Sequence, residues 1–142
     1  MVHLVDITPD NWRLKLQVSE EQKTYVAGSA VLLARAYAYR EWRSRAFVVC
    51  DDETPVGMGL YYDCPERNAY DFSQFFIDER YQGKGYGKAA AKAVLEAMKN
   101  AGVCIQINIR KGVFYEDESC MEGSRFLTLR RKFWRNVNGK PV

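Results

Sequence analysis

Three glycines at alternate positions, Gly83, Gly85 and Gly87, lie within Asp78-Glu79-Arg80-Tyr81-Gln82-Gly83-Lys84-Gly85-Tyr86-Gly87-Lys88. A backbone bare of side chains lets successive N–H groups approach an anion, and ahead of a helix the same groups add the positive end of its dipole. The chemistry this spacing serves is the cradling of a phosphate or pyrophosphate, with Lys84 and Lys88 adding charge. Two well-known phosphate loops do not fit the letters. A Walker loop ending at Gly87-Lys88 needs glycine at position 82 and Ser or Thr at 89, where the chain has Gln82 and Ala89. A dinucleotide fingerprint counted from Gly83 and Gly85 needs glycine or alanine where Lys88 stands, and a parallel βαβ unit around it.

Other chemistry is narrowed by what the chain lacks. His3 is the single histidine and sits in an expected first strand, so a histidine triad or multi-histidine metal centre is not expected. Cys50, Cys64, Cys104 and Cys120 are widely spaced, with no C-x-x-C pair, and read as reduced thiols rather than a zinc site or disulfide framework. No metal is expected.

The elements that must position the loop follow from periodicity. Val2 to Ile7 reads as an opening strand. Thr8-Pro9-Asp10-Asn11 then starts a short helix carrying Trp12 and Leu16, with Thr8 as cap and Pro9 in the first turn. Ser19-Glu20-Glu21-Gln22 has the form of a capping box, and Gln22, Tyr25, Val26, Ser29, Leu32, Leu33, Ala36 and Tyr37 recur at the spacing of a longer second helix. Residues 46–50 and 56–62 read as a hairpin around Asp51-Asp52-Glu53-Thr54-Pro55, and residues 69–78 as the fourth strand of an antiparallel meander. Tyr86, Ala89, Ala90, Ala93, Val94, Ala97 and Met98 form one apolar helical stripe, ended by Asn100-Ala101-Gly102, after which Val103, Ile105, Ile107 and Ile109 alternate as a strand. Residues 126–134 read as a further strand, with Asn138-Gly139 as a turn.

The 142 residues fit one domain, and 47% hydrophobic with 27% charged residues is the balance of a soluble globular protein. No apolar run approaches the roughly 20 residues that cross a bilayer, and the N-terminus does not read as a signal peptide, so no membrane role and a cytoplasmic location are expected. The net charge of +3 is uneven: residues 1–109 hold 13 Lys and Arg against 14 Asp and Glu, residues 110–142 hold 8 against 4. Arg130-Arg131-Lys132 beside Phe133 and Trp134 could meet a nucleic acid, but a solvated strand edge is the favoured reading.

Gln82, Gly85 and Gly87 meet the Q/R-x-x-G-x-G/A signature, and with the order of strands and helices around them the chain resembles the GNAT superfamily of N-acetyltransferases. The resemblance implies a GNAT-like acyl-CoA N-acyltransferase fold of the α/β (α+β) class, a central, mostly antiparallel mixed sheet flanked by helices. It implies acetyl-CoA as co-substrate, its pyrophosphate on Gln82, Gly83, Lys84, Gly85, Tyr86, Gly87 and Lys88, and its pantetheine arm along Phe75, Phe76 and Ile77. Ser19 to Ala27, Leu33-Ala34-Arg35-Ala36-Tyr37 and Phe76 to Lys88 are similar, within residues 2–109, to the bacterial spermine/spermidine acetyltransferase-like branch. That implies a small-molecule amine acceptor, a polyamine first, held through charge pairing and cation–π contact by groups such as Glu20, Glu21 and Tyr61.

In this superfamily a tyrosine within N-x-x-A-x-x-[LF]-Y-E-K-x-G-F protonates the departing thiolate. The run from Asn108 to Glu116 keeps the Asn-to-Tyr spacing and Phe-Tyr-Glu, which makes Tyr115 the candidate acid and places Asn108 among the cofactor contacts. Asp71 is the candidate base. Lys111, Gly112 and Asp117-Glu118-Ser119-Cys120 depart from the pattern, so residues 110–142 are atypical. Divergence, a final strand exchanged with a partner chain and an altered tail each account for this, and an unpaired sheet edge there would favour a homodimer. Acetylation of a protein or antibiotic amine, and CoA binding without catalysis, stand as alternatives.

Overall fold

The computed structural model describes residues 1–20, 23, 28–64, 69–101 and 107–108, with the backbone alone at 64, 69–71, 99, 107 and 108. One five-stranded sheet has the order β1 (Val2–Asp6), β2 (Arg45–Asp51), β3 (Thr54–Cys64), β4 (Ala69–Ile77) and β5 (Ile107–Asn108). The first four strands pair antiparallel in sequence order, and β5 runs parallel to β4 through Tyr70↔Ile107 and Asp71↔Asn108. Helix α1 (Ser29–Ala38) precedes β2, and α2 (Tyr86–Asn100) follows β4. This is the mostly antiparallel mixed sheet with flanking helices expected from the sequence.

Alternation along the strands sends side chains to two separate cores. On one face Phe47, Val49, Val56, Tyr61, Phe72, Phe75 and Ile77 pack with Ala90, Ala91, Val94, Leu95 and Met98 of α2. On the other, Met58, Leu60, Tyr62 and Phe76 pack with Leu32 of α1 and with Leu16 and Val18. Phe72 and Phe75, three residues apart, share a face because β4 carries a bulge. Leu60 pairs with Gln74 and the next residue, Tyr61, with Phe72, which leaves Ser73 as the inserted residue.

β3 lies tightly against β4 where Gly57 faces the end of that strand. A Cβ at Gly57 would stand 2.4 Å from the Phe76 carbonyl oxygen and 2.9 Å from Ile77 Cδ1. Gly57→Ala is expected to cost about 1–3 kcal/mol by overpacking, measured as a lowered denaturation midpoint with unchanged slope. Because the clash falls on the carbonyl of Phe76, the same variant should weaken whatever binds along the β4 backbone.

Two expectations about local structure are corrected. The short helix at Trp12 is a single turn, in which Asn11 N and Trp12 N both donate to Thr8 O, and Asp10 N donates to Thr8 Oγ1. Beyond it no helix forms up to Val18, and every second residue, Leu14, Leu16 and Val18, packs into the α1-side core. Trp12 and Leu16 sit at helical spacing, but a period of two describes the buried residues better. The second helix does not run unbroken to Tyr37, because Gly28 is extended (φ −65°, ψ 168°) and α1 starts at Ser29. Of the strand expected over 103–109, Ile107–Asn108 is described, and residues 110–142 lie outside the described residues.

Candidate functional site

The glycine loop joins the buried end of β4 to the first turn of α2. Gly83 (φ 76°) and Gly85 (φ 87°) hold the left-handed conformation that side chains disfavour. A Cβ at Gly85 would meet nothing within 4 Å, so the loop is open to solvent there. Ala89 N donates to Gly85 O as the first α2 bond, which leaves the N–H groups of Tyr86, Gly87 and Lys88 without a carbonyl partner among the described residues. The first turn of α2 contains no acidic residue, so the positive end of the helix is not neutralised locally. Lys84 is exposed, its Nζ 5.7 Å from the centre of the Tyr81 ring. Donors, dipole and lysine together fit a diphosphate.

Side-chain hydrogen bonds fix the loop at three points. Gln82 Nε2 donates to Ile77 O (2.9 Å) and so ties the loop to the end of β4. Tyr86 Oη donates to Asp51 Oδ2 (2.9 Å), anchoring the start of α2 to the end of β2. That bond holds the Asp51 carboxyl below the usual range and pushes the Tyr86 phenol up.

The third point is Asp78, whose side chain is fully buried. Its carboxylate accepts from Gln17 N (2.9 Å), Arg80 N (2.9 Å), Arg80 Nε (2.8 Å) and Arg80 Nη2 (3.0 Å). Burial alone would raise its pKa, yet the bonds from Arg80 and from the Gln17 and Arg80 amides leave it lowered. Glu79 N donates to Gln17 O (3.1 Å), so the segment before α1 is stitched to the loop from both sides.

That stitching forms a cleft of about 520 Å³ on the α1 side of the sheet. Leu16 and Val18 give it an apolar floor, and Gln17, Glu20, Lys23 and Glu79 supply polar groups. Glu20 is paired with Lys23, so the two carboxylates and one ammonium leave the cleft net negative by one charge. Further along the same face, Arg35 of α1 reaches β4 and donates from Nη1 to Ser73 Oγ (3.1 Å) at the bulge.

The residues expected from sequence are distributed as follows. Gln82 to Lys88 are gathered in the loop and the first turn of α2. Phe75, Phe76 and Ile77 have buried side chains divided between the two cores, so what they offer a ligand is backbone. Asn108 is paired through its backbone with Asp71. Glu20 lines the cleft, whereas Tyr61 is buried, 4% exposed, in the core on the opposite face of the sheet. The structure does not bring those two together; the tyrosine on the α1 face is Tyr62, stacked on Tyr39 at 4.1 Å. Glu21 and Tyr115 lie outside the described residues.

Sequence reasoning missed the roles of Asp78, Arg80, Asp51, Arg35 and Ser73. An Asp at the end of a strand with Arg two residues on was a usable local signal. Asp51 with Tyr86, and Arg35 with Ser73, are separated by 35 and 38 residues and leave none.

Among the described residues no group of three or more His, Cys, Asp and Glu could hold a metal, and no helix is long and apolar enough to cross a membrane.

Fold and loop together define an α/β domain of the acyl-CoA N-acyltransferase type. The chain belongs to the acetyltransferase (GNAT) family, whose model matches residues 7–116, and it is an acetyl-CoA-dependent N-acetyltransferase. It is 32% identical over 112 residues, 75% of this chain and 74% of the relative, to a spermine/spermidine N(1)-acetyltransferase of Bacillus subtilis (strain 168). Among solved structures, a chimeric spermidine N-acetyltransferase SpeG from Vibrio cholerae and hSSAT superposes with a TM-score of 0.59 at 16% identity, covering 93% of this chain and 97% of that one. The PaiA N-acetyltransferase of Thermoplasma acidophilum, in complex with coenzyme A, has a TM-score of 0.55 at 14% identity, covering 92% of this chain and 99% of that one.

Proposed function

We propose that this single domain, residues 1–142, transfers the acetyl group of acetyl-CoA to a primary amine of a small polyamine such as spermidine or spermine. The observation that carries the reading is the fixed glycine loop at the N-terminus of α2, whose free amides and unneutralised helix end suit the diphosphate of CoA. Identity to a spermine/spermidine N(1)-acetyltransferase supports the acceptor class.

In this reading the amides of Gly83 to Lys88 bind the diphosphate, with Gln82 holding the loop in shape and Lys84 and Lys88 adding charge. The backbone of Phe75 to Ile77, with Asn108 nearby, receives the pantetheine arm. The neutral acceptor amine attacks the thioester carbonyl, forming the C–N bond, and the C–S bond breaks with its electron pair on sulfur. Tyr115 protonates the departing thiolate, and Asp71 takes the proton lost by the amine. Leu16 and Val18 cover the methylene chain of the acceptor, while Glu20 and Glu79 pair with its distal ammonium group.

The test is thiol release from acetyl-CoA with spermidine, spermine, a lysine peptide and an aminoglycoside. Polyamine turnover in clear excess over the other two supports the acceptor; turnover confined to the peptide or the aminoglycoside moves the protein to another acetyltransferase class. Stabilisation by CoA with no turnover on any amine supports a CoA-binding protein without catalysis. In the active enzyme, replacing both Glu20 and Glu79 by Gln should raise the KM for spermidine roughly tenfold, the range of two partly exposed ion pairs, with kcat changed less than about twofold.

A further inference from the structure

At the bulge of β4 a guanidinium reaches the strand from α1. Arg35 is half-buried in the last turn of α1, and its contact among the described residues is the neutral hydroxyl of Ser73, at 3.1 Å, and not a carboxylate. Ser73 is the residue inserted into β4. It lies five residues before Asp78, where the glycine loop begins, a distance of about 16 Å at the strand rise. An extended pantetheine arm running back along the strand from the diphosphate covers a similar span, so its thioester falls at the bulge. This placement rests on the reading of the loop given above.

The geometry points to Arg35 as the residue that supplies the acceptor in its neutral form. A fixed positive charge beside an ammonium disfavours the charged state and lowers its pKa, so a larger share of the bound amine is unprotonated at neutral pH. The ammonium proton leaves to water before attack; the free nitrogen pair then forms the C–N bond, the C–S pair departs on sulfur to be protonated by Tyr115, and the second proton of the acylated nitrogen passes to Asp71. The distal ammonium of a polyamine lies away from Arg35, in the net negative cleft beside Glu20 and Glu79, so one molecule meets a positive charge at its reactive end and a negative one at its tail.

The other charged and titratable groups on the elements packed around α1 are largely engaged with one another. Asp63 of β3 holds Arg43, Asp6 of β1 pairs with Arg45 of β2, and Tyr62 stacks on Tyr39. Arg40 and Glu41 lie in the turn after α1, Arg40 over the ring of Tyr37. Cys50 is on β2 with its thiol pushed up by burial. Asp71 precedes Ser73 by two residues on β4 and is described by its backbone alone.

The experiment compares the pH dependence of kcat, which reports ionisations in the bound complex, at saturating spermidine in the wild type, Arg35→Gln and Arg35→Lys, with trifluoroethylamine, already neutral near pH 7, as a second acceptor. Arg35→Gln should move the acidic limb for spermidine upward by about one pH unit, and Arg35→Lys should leave it in place. Activity on trifluoroethylamine should change less than about twofold. Ser73→Ala, which frees the guanidinium without removing it, should move the limb in the same direction by less, and it replaces Arg35→Gln should that variant fail to fold. Thermal stabilisation by CoA monitors the intact cofactor site. An unmoved limb, or an equal loss on both acceptors, overturns the inference and leaves the acetyltransferase reading intact. Absence of thiol release by the wild type overturns both.

Discussion

Gly85→Val is expected to weaken CoA binding about 100-fold while leaving the fold in place. The residue holds φ 87°, a conformation that costs a side chain about 1–2 kcal/mol and a β-branched one more. Its Cβ would meet no protein atom within 4 Å, so the valine occupies the space in front of the loop and does not disturb the core. Two effects follow together. The backbone relaxes towards negative φ and turns the amides away from their common focus, and the side chain itself stands where a diphosphate would sit. Losing two amide-to-phosphate hydrogen bonds at roughly 1.5 kcal/mol each corresponds to about 100-fold in KM for acetyl-CoA. The check is steady-state kinetics beside a denaturation curve in the absence of CoA: the KM rises by that factor or more while the midpoint falls only slightly. Equal losses of stability and activity would mean that Gly85 serves the fold and not the ligand.

Asp78→Ala should do the reverse, unfolding the site from beneath. The carboxylate is fully buried and gathers Gln17 N, Arg80 N and the Arg80 guanidinium. Removing it takes the acceptor from the Gln17 amide and frees the stretch from Leu16 to Val18 that lines the cleft. The expected destabilisation is roughly 2 kcal/mol, the scale for losing hydrogen bonds to a charged group, since the Arg80 left behind is more than half exposed. The pH dependence has a definite sign. The Asp78 pKa is lowered in the folded protein, so its stabilisation is fully present above the ordinary aspartate value, about 3.9, and is lost as the pH falls through the lower folded value. Urea denaturation at pH 7 and again near pH 3 should therefore show a wide gap between wild type and variant that narrows in acid. A gap that stays constant would assign the effect to packing and not to the ionised carboxylate. KM values for both acetyl-CoA and the amine should rise together, since Asp78 connects the loop to the cleft.

How far the sequence could be read divides along physical lines. Interactions local in the chain were legible: the alternation that makes β1 to β4 an antiparallel meander, the three-four stripe of α2, and the glycine spacing of the loop. Each reflects backbone geometry acting within a few residues. The early helix failed because Trp12 and Leu16 fit a period of 3.6 while Leu14, Leu16 and Val18 fit a period of two, and burial beneath α1 decided between them. Gly28 interrupted an apparently continuous helical stripe, because its extended backbone caps α1 without a side chain. The bulge at Ser73 had no visible signature, since it exists only in the register between two strands. Tyr61 and Tyr62 looked equivalent in the sequence, yet adjacent strand residues face opposite sides, and one lies in each core. Cooperation between distant residues, Arg35 with Ser73 and Asp51 with Tyr86, required the folded sheet before it could be seen.

The central claim is that the loop from Gln82 to Lys88 binds the diphosphate of CoA, and the most direct measurement is the melting temperature of the wild type and Gly85→Val as CoA is raised. Binding at 100 times the dissociation constant adds roughly 2.7 kcal/mol to stability. The account predicts a wild-type melting temperature that climbs by several degrees with CoA and a variant that gains only a small fraction of that shift at the same CoA concentration. A wild type unmoved by CoA at millimolar concentration, or a variant stabilised as strongly as the wild type, would contradict it.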